Sequence, residues 1–243
     1  METNFNPFEN KQTAVTTYLK LRRFIGYLGF LLPIVCIASS YLIPNCGEAI
    51  HKSISDYYFT PIRDLFVGIL CAVAFFLFAY KGSLPYDTIF ASIGGLCALG
   101  IAFFPTSVQC ELDCNASYDL LFPNASMVHF ISALLFFGIL VYFSLWSFVK
   151  DPDEKANSNW KQKKILYKIC GFTMLFCVLA IAAYFLFYLN DVDYTDKNIC
   201  KESPLKYNLI FWLETLALFA FGISWIAKGQ FKFKNINPLT FFK

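Results

Sequence analysis

The stretch YNLIFWLETLALFAFGISWIA, residues 207–227, decides the fold class of this chain, because it is predominantly apolar and carries only one charged side chain, Glu214. A helix rises 1.5 Å per residue, so about 20 apolar residues are enough to cross a hydrocarbon core of about 30 Å. Inside lipid the backbone amides find no water, so a spanning segment must satisfy them within its own helix. The stretch therefore predicts a transmembrane helix.

Further runs of the same kind precede it, at residues 24–43, 62–80, 87–105, 127–148 and 165–189. The composition agrees, with 57% hydrophobic, 19% aromatic and only 15% charged residues among 243. None of the runs shows the short alternation of a barrel strand. The chain is predicted to be an all-α polytopic membrane protein, with a bundle of six transmembrane helices at 24–227, a lead-in at 1–23 and a basic tail at 228–243.

The distribution of basic residues predicts the orientation of the bundle. With six spans, most of the 20 Lys and Arg residues fall on one side of the membrane, and few fall on the other: Lys52, Arg63, Lys197, Lys201 and Lys206. By the positive-inside rule both termini face the cytoplasm, in a plasma membrane or a bacterial inner membrane. The tail then fits contact with a lipid surface, and we expect no nucleic-acid partner.

A polar cluster interrupts the apolar sequence at HKSISDYYFTPIRDLFVG, residues 51–68. The predicted topology brings this stretch to the outer end of the bundle, together with His129 and Glu214. An ionisable group in a membrane helix costs at least about 2.5 kcal/mol unless a partner or water compensates, so it marks a functional hypothesis. We predict an outward-facing pocket whose ligand-binding residues are Ser53, Asp56, Tyr57, Arg63, Asp64, His129 and Glu214.

Glu214 also has a purely structural interpretation, in which it pairs with Arg63 and fixes the sixth helix to the second. His51 lies in a loop and is expected to be solvated. Tyr57 also suits the belt of aromatic residues found at membrane interfaces. The sequence assigns no catalytic residue to any of these positions.

Three functions fit the cluster. In the first, the pocket binds or processes a membrane lipid or a small polar ligand. In the second, a metal-dependent membrane hydrolase holds zinc through His51, His129 and Asp56 or Glu214, although no HExxH or HxxxH motif is present. In the third, a membrane thiol oxidoreductase uses cysteines of the outer loops.

The cysteines divide between helices and loops under this topology. Cys36, Cys71, Cys97, Cys170 and Cys177 lie in predicted helices, whereas the outer loops carry Cys46, Cys110, Cys114 and Cys200. An even number on the oxidising side predicts two disulfides, with three possible pairings left open. Cys110 and Cys114 form a CxxxC rather than a CxxC, which favours structural bridges. The same loop carries NAS glycosylation sequons at Asn115 and Asn124.

Four blocks carry a resemblance to small bacterial multipass membrane proteins of uncharacterised function: SISDYYFTPIRDLFVG, VHFISALLFF, LYKICGF and FWLETLALFAFGISWIAKG. The resemblance implies a multipass bundle and no particular activity. A weaker one is to the CREST superfamily of membrane hydrolases, which are similar in placing Ser, Asp and His at one end of the bundle, as Ser53, Asp56 and His129 are here. It implies a zinc hydrolase, but this chain departs from it in having six predicted helices instead of seven and no paired histidines in the last.

Overall fold

The computed structural model describes residues 7–43, 50–106, 124–155, 159–188 and 208–229. Regular structure in these ranges is entirely helical, and each predicted apolar run corresponds to a helix. The longer helices are α1 (Pro7–Leu42), α2 (Arg63–Phe78), α3 (Asp87–Phe103), α4 (Ala125–Tyr142), α5 (Trp160–Tyr188) and α6 (Leu209–Lys228). Shorter pieces join them: a 3-10 helix at Ile54–Phe59, a π-helical turn at Phe143–Ser147 that continues α4 into Phe148–Lys150, and one turn at Pro152–Lys155.

Several of these helices have the dimensions of membrane spans. Four segments are long and apolar enough to cross a bilayer: Thr17–Leu42, Ala125–Lys150, Trp160–Phe187 and Leu209–Lys228. The helices α2 and α3 have 16 and 17 residues, and at 1.5 Å per residue each is about 25 Å long, somewhat shorter than a hydrocarbon core. These properties identify the chain as a multipass membrane protein.

The first helix begins much earlier than predicted. Residues 7–23 were expected to form a lead-in, but α1 runs without interruption from Pro7 to Leu42 and passes through Pro33. Hydropathy detects only the apolar part of a helix, and the polar residues 7–23 include no glycine or proline after Pro7 that would end it. For the same reason α5 begins at Trp160, ahead of the apolar run.

The six helices form a closed ring in chain order. Each packs against its neighbour in sequence, and α6 also packs against α1. Buried side chains from every helix join one apolar cluster, which includes Ile25, Leu77, Ala98, Leu140, Met174 and Phe221. Closure of the ring places the first and last helices side by side, and it thereby brings residues from opposite ends of the sequence together.

Small residues allow the closest helix contacts. A Cβ on Gly222 of α6 would lie 2.8 Å from the carbonyl oxygen of Gly26 in α1, and one on Gly95 would lie 2.9 Å from the carbonyl oxygen of Ala74. Both positions therefore accept only glycine without a shift of the backbone. By contrast, Gly68 at the start of α2 faces open space, so it makes no close helix contact.

Buried polar contacts hold together the end of the bundle near the C terminus of α2. The carboxylate of Asp87 accepts hydrogen bonds from the hydroxyls of Tyr142 (3.1 Å) and Ser147 (2.8 Å). Lys228 forms a buried ion pair with Asp151. These pairs join the start of α3 to α4, and the end of α6 to the segment after α4.

Candidate functional site

The site is built on the 3-10 helix Ile54–Phe59, which directly precedes α2 and lies near its N terminus. Its N-cap residue is Ser53, and Asp56 follows three residues later, which is the spacing of a capping box. The Ser53 hydroxyl accepts a hydrogen bond from the amide of Ser55 at 3.1 Å, and the Asp56 carboxylate accepts one from the amide of Ser53 at 3.0 Å. These local bonds explain why a short polar segment holds a fixed shape.

The segment docks on the first turns of α6 through hydrogen bonds. The amide of Phe211 donates to the carbonyl of Lys52 at 2.9 Å, which satisfies one of the free amides at a helix start. The Asn208 side chain donates to the carbonyl of Ile50 at 3.0 Å. Main-chain carbonyls of the segment thus form hydrogen bonds with the start of α6.

Glu214 adds side-chain hydrogen bonds to these attachments. Its carboxylate accepts from the amide of Ile54 at 2.6 Å and from the hydroxyl of Ser53 at 2.9 and 3.0 Å. The structural interpretation that pairs Glu214 with Arg63 is therefore wrong, because the carboxyl group is hydrogen-bonded to Ser53 and Ile54 instead.

His129 connects the segment to α3 and α4. Its Nδ1 lies 2.7 Å from the carbonyl oxygen of Phe104, and its Nε2 lies 3.0 Å from Oγ of Ser55. A carbonyl oxygen only accepts, so Nδ1 carries the proton and donates it. In the neutral ring, Nε2 is then the acceptor for the Ser55 hydroxyl.

These residues surround a cavity of about 510 Å³ between the helices. One end of it is polar, lined by Lys52, Ser53, Ser55, Asp56, Thr106, His129 and Glu214. The remainder is lined by aliphatic and aromatic side chains, among them Leu32, Phe66, Leu70, Phe136, Val178, Ile181, Phe185 and Leu218. The lining thus combines a group of polar side chains with a larger apolar part.

Thr106 contributes an unused hydrogen-bonding group to the polar end. Its side chain is only 7% exposed, yet Oγ1 has no hydrogen-bond partner among the described residues. A buried hydroxyl without a partner costs about 1–3 kcal/mol. Thr106 therefore brings an unpaired hydroxyl to the cavity lining.

The sequence prediction of ligand-binding residues agrees with the cavity lining in part. Ser53, Asp56, His129 and Glu214 line the cavity, and their role in binding stays a prediction. The other three predicted residues lie outside its lining: Tyr57, Arg63 and Asp64.

Each of these three has a different environment. Tyr57 is buried and hydrogen-bonded to the Ser40 hydroxyl, and burial raises the pKa of its phenol to about 12. The Arg63 guanidinium lies 4.4 Å from the Tyr58 ring centre and donates to its hydroxyl at 2.6 Å. Asp64 is exposed. Adjacent residues of a helix point in different directions, which the dense sequence run could not reveal.

His51 is buried, not solvated as expected. It is 2% exposed, and its ring packs edge-on against Tyr57 with 4.5 Å between the ring centres. Burial lowers the pKa of the imidazole below its ordinary value of 6.5, because it disfavours the charged form.

The predicted zinc ligands do not converge. Within the described ranges, no three His, Cys, Asp or Glu side chains are placed so that they could hold a metal ion. His129 uses both ring nitrogens for Phe104 and Ser55, and His51 packs against Tyr57. The zinc set of His51, His129 and Asp56 or Glu214 therefore lacks the geometry it needs.

The cysteines predicted to lie in helices do so, with free thiols: Cys36, Cys71, Cys97, Cys170 and Cys177. The predicted disulfide residues, Cys46, Cys110, Cys114 and Cys200, lie outside the described residues, as does Asn115. The disulfides and the redox function thus stay predictions. Asn124 is exposed immediately before α4.

Sequence reasoning missed three polar residues of the cavity, Lys52, Ser55 and Thr106. Lys52 and Ser55 belong to the polar run 51–68, and the pattern there could have included them. Thr106 follows Pro105 as an isolated threonine with no signal in the sequence. No protein-family model, curated protein or solved structure matches this chain.

Proposed function

We propose that this chain is a multipass protein of the plasma membrane or bacterial inner membrane, and that its cavity binds an amphiphilic molecule, either a lipid or a smaller compound with a polar head. The observation that carries this proposal is the division of the cavity into one polar end and a longer apolar part. Its volume of about 510 Å³ lies within the range of about 300–1,000 Å³ usual for small-molecule sites.

The polar end is suited to a head group with both donors and acceptors. Glu214 and Asp56 bring carboxylates, Lys52 brings an ammonium group, and Thr106 brings a hydroxyl that has no partner in the described part of the chain. Orientation of a ligand by a few polar groups in a mainly apolar pocket is typical of binding sites for small molecules. The apolar part would hold the hydrocarbon chain.

A six-span topology with both termini in the cytoplasm accompanies this proposal. The ring order supports it, since α2 and α3 pack between the long helices α1 and α4. The positive-inside distribution of Lys and Arg supports the orientation. The cavity then faces the outer leaflet, and the resemblance to bacterial multipass proteins favours an inner membrane.

Photo-crosslinking with a phospholipid that carries a diazirine on one acyl chain tests the proposal. The purified full chain in phosphatidylcholine nanodiscs should incorporate label at α4 and α5 residues that line the cavity. Ala182→Phe, which fills the apolar part, should reduce this labelling at least about tenfold, the effect of 1.4 kcal/mol. Ala38→Phe is the matched control, because Ala38 is exposed on α1 and does not line the cavity.

Equal labelling of the cavity residues in the Ala182→Phe variant and the native chain would contradict the proposal. The probe would then be contacting the outer surface of the bundle. Thermal unfolding of both variants checks that the bundle is intact.

A further inference from the structure

We propose that Ser55 and His129 form a nucleophile and general-base pair that hydrolyses an ester of a long-chain carboxylic acid bound in the cavity. The inference rests on the proposed function, because it names the chemical class of the amphiphile. It uses groups that the sequence did not assign to catalysis.

Two hydrogen bonds carry the inference. Ser55 Oγ lies 3.0 Å from His129 Nε2, and His129 Nδ1 donates to the Phe104 carbonyl at 2.7 Å. A nucleophile, a base within hydrogen-bonding reach, and a third group that orients the base make up the general pattern of an activated hydroxyl. The Phe104 carbonyl fixes the tautomer in which Nε2 is free to accept the Ser55 proton.

The location of the pair suits an acyl chain. Ser55 and His129 both line the polar end of the cavity, and His129 is only 3% exposed. Apolar side chains of α1, α2, α4 and α5 continue from that end. A hydrocarbon chain lying along them would hold its ester group beside Ser55, and such positioning replaces a bimolecular encounter.

The reaction proceeds in two balanced steps. Ser55 Oγ attacks the ester carbonyl carbon while its proton moves to His129 Nε2; the bond to the alcohol then breaks, and the departing alkoxide takes that proton. Water next attacks the acyl group on Ser55, giving one proton to Nε2, which returns it to Ser55 Oγ as the carboxylic acid leaves. One ester and one water yield one acid and one alcohol.

Thr106 is the candidate donor to the oxyanion that forms in each step. Its Oγ1 is buried, has no partner among the described residues, and lines the same end of the cavity. It also follows Phe104 by two residues, so one short segment positions the base and supplies the donor. Loss of one oxyanion donor typically lowers the rate about 10²–10³-fold.

The test uses a hexadecyl fluorophosphonate, which forms an Oγ–P bond with an activated serine and releases fluoride. Incubation with the full chain in phosphatidylcholine nanodiscs, followed by peptide mapping, should locate one adduct on Ser55. Ser55→Ala should abolish it, and His129→Gln should slow it at least about 100-fold, the lower limit for a general base. Ser92→Ala is the matched control, because Ser92 lies on α3 outside the cavity lining and its hydroxyl donates to the Thr88 carbonyl of the same helix.

Thr106→Val should slow the labelling while Thr106→Ser restores it, which separates donation by the hydroxyl from packing of the side chain. The adduct is mapped on the native chain, so the outcome does not depend on the folding of Ser55→Ala. Labelling of Ser55 at the same rate in His129→Gln and the native chain would overturn the inference.

Absence of an adduct from a native chain that still crosslinks the diazirine lipid would likewise overturn the hydrolytic pair and leave amphiphile binding standing. Conversely, an adduct on Ser55 without lipid crosslinking in the cavity would support the nucleophile and contradict the proposed function.

Discussion

The carboxylate of Glu214 accepts the hydroxyl hydrogen of Ser53 at 2.9 and 3.0 Å, although the two residues are 161 positions apart. The adjacent amide of Ile54 donates to the same carboxylate at 2.6 Å. One acid in α6 thereby anchors the start of the 3-10 helix, which carries Ser55 to its contact with His129. Ser53 and Glu214 both line the polar end of the cavity.

Ser53→Ala should lower the free energy of unfolding by about 1–3 kcal/mol, because it takes a hydrogen-bond donor away from the buried carboxyl group of Glu214. Its combination with Glu214→Gln should be non-additive by about 0.5–3 kcal/mol. Unfolding in mixed micelles measures both effects. Arg63→Met is the control partner: strong coupling between Arg63 and Glu214 would show that the sequence-predicted ion pair exists after all.

His51 should make stability depend on pH on the acid side of neutrality. Its pKa is lowered by burial from 6.5, so the unfolded chain binds more protons than the folded chain between the lowered value and 6.5. The contribution of neutral His51 to the free energy of unfolding is fully present above about pH 6.5. It declines as the pH falls from 6.5 to the lowered pKa, by at most about 1.4 kcal/mol per pH unit.

His51→Phe keeps a ring against Tyr57 and removes the titration. The difference in unfolding free energy between this variant and the native chain, measured from pH 7.5 to 4.5, should therefore change in favour of the variant at low pH. A difference that is constant with pH would show that His51 is charged equally in both states.

The bundle should lose more stability when one partner of the buried Lys228–Asp151 pair is replaced than when both are replaced. Lys228→Met alone leaves a buried carboxylate and should cost about 3–5 kcal/mol, whereas Lys228→Met with Asp151→Leu should cost less. Thermal unfolding of the three proteins checks the order. If the double variant is the least stable, the two charges contribute independently of each other.

The contact between α1 and α6 should tolerate no methyl group at Gly222. A Cβ there would lie 2.6 Å from the Phe30 ring and 2.8 Å from the Gly26 carbonyl oxygen, and such overpacking costs about 1–3 kcal/mol. Gly138→Ala is the matched control, because Gly138 has open space around it and gains helix propensity. Similar stabilities of Gly222→Ala and Gly138→Ala would contradict this helix contact.

The topology predicts which turns face outwards. A phosphatase domain, active only outside the cytoplasm, should be inactive when fused after Gly82 and active when fused after Asn124, because α3 separates the two positions. Expression of the fusions in bacteria measures this directly. Equal activity at both positions would show that α3 does not cross the membrane and would reduce the number of spans.

The prediction of an all-helical chain is confirmed, because backbone amides in lipid must form their hydrogen bonds within the same segment. Apolar runs of sufficient length must be helices, and each of the predicted runs is one. The polar parts of these helices were not predicted, for example residues 7–23 of α1, because hydropathy identifies only the apolar part of a helix. Topology also predicted that His129, Glu214 and residues 51–58 lie at one end, because alternate helix ends share a side of the membrane.

By itself, then, the sequence determined the helical class, the order of the helices and the end of the bundle at which the polar residues collect. Only the tertiary structure decided the partners: Glu214 with Ser53 instead of Arg63, and His129 with Ser55 and Phe104. The physical reason is that a hydrogen bond requires its atoms to lie within about 3 Å of each other. The position of a residue in a helix predicts its depth in the membrane, but it does not predict how the helix is rotated about its axis and therefore which neighbour the side chain meets. The cavity depends on how all six helices are rotated about their axes, and only their packing against one another determines this.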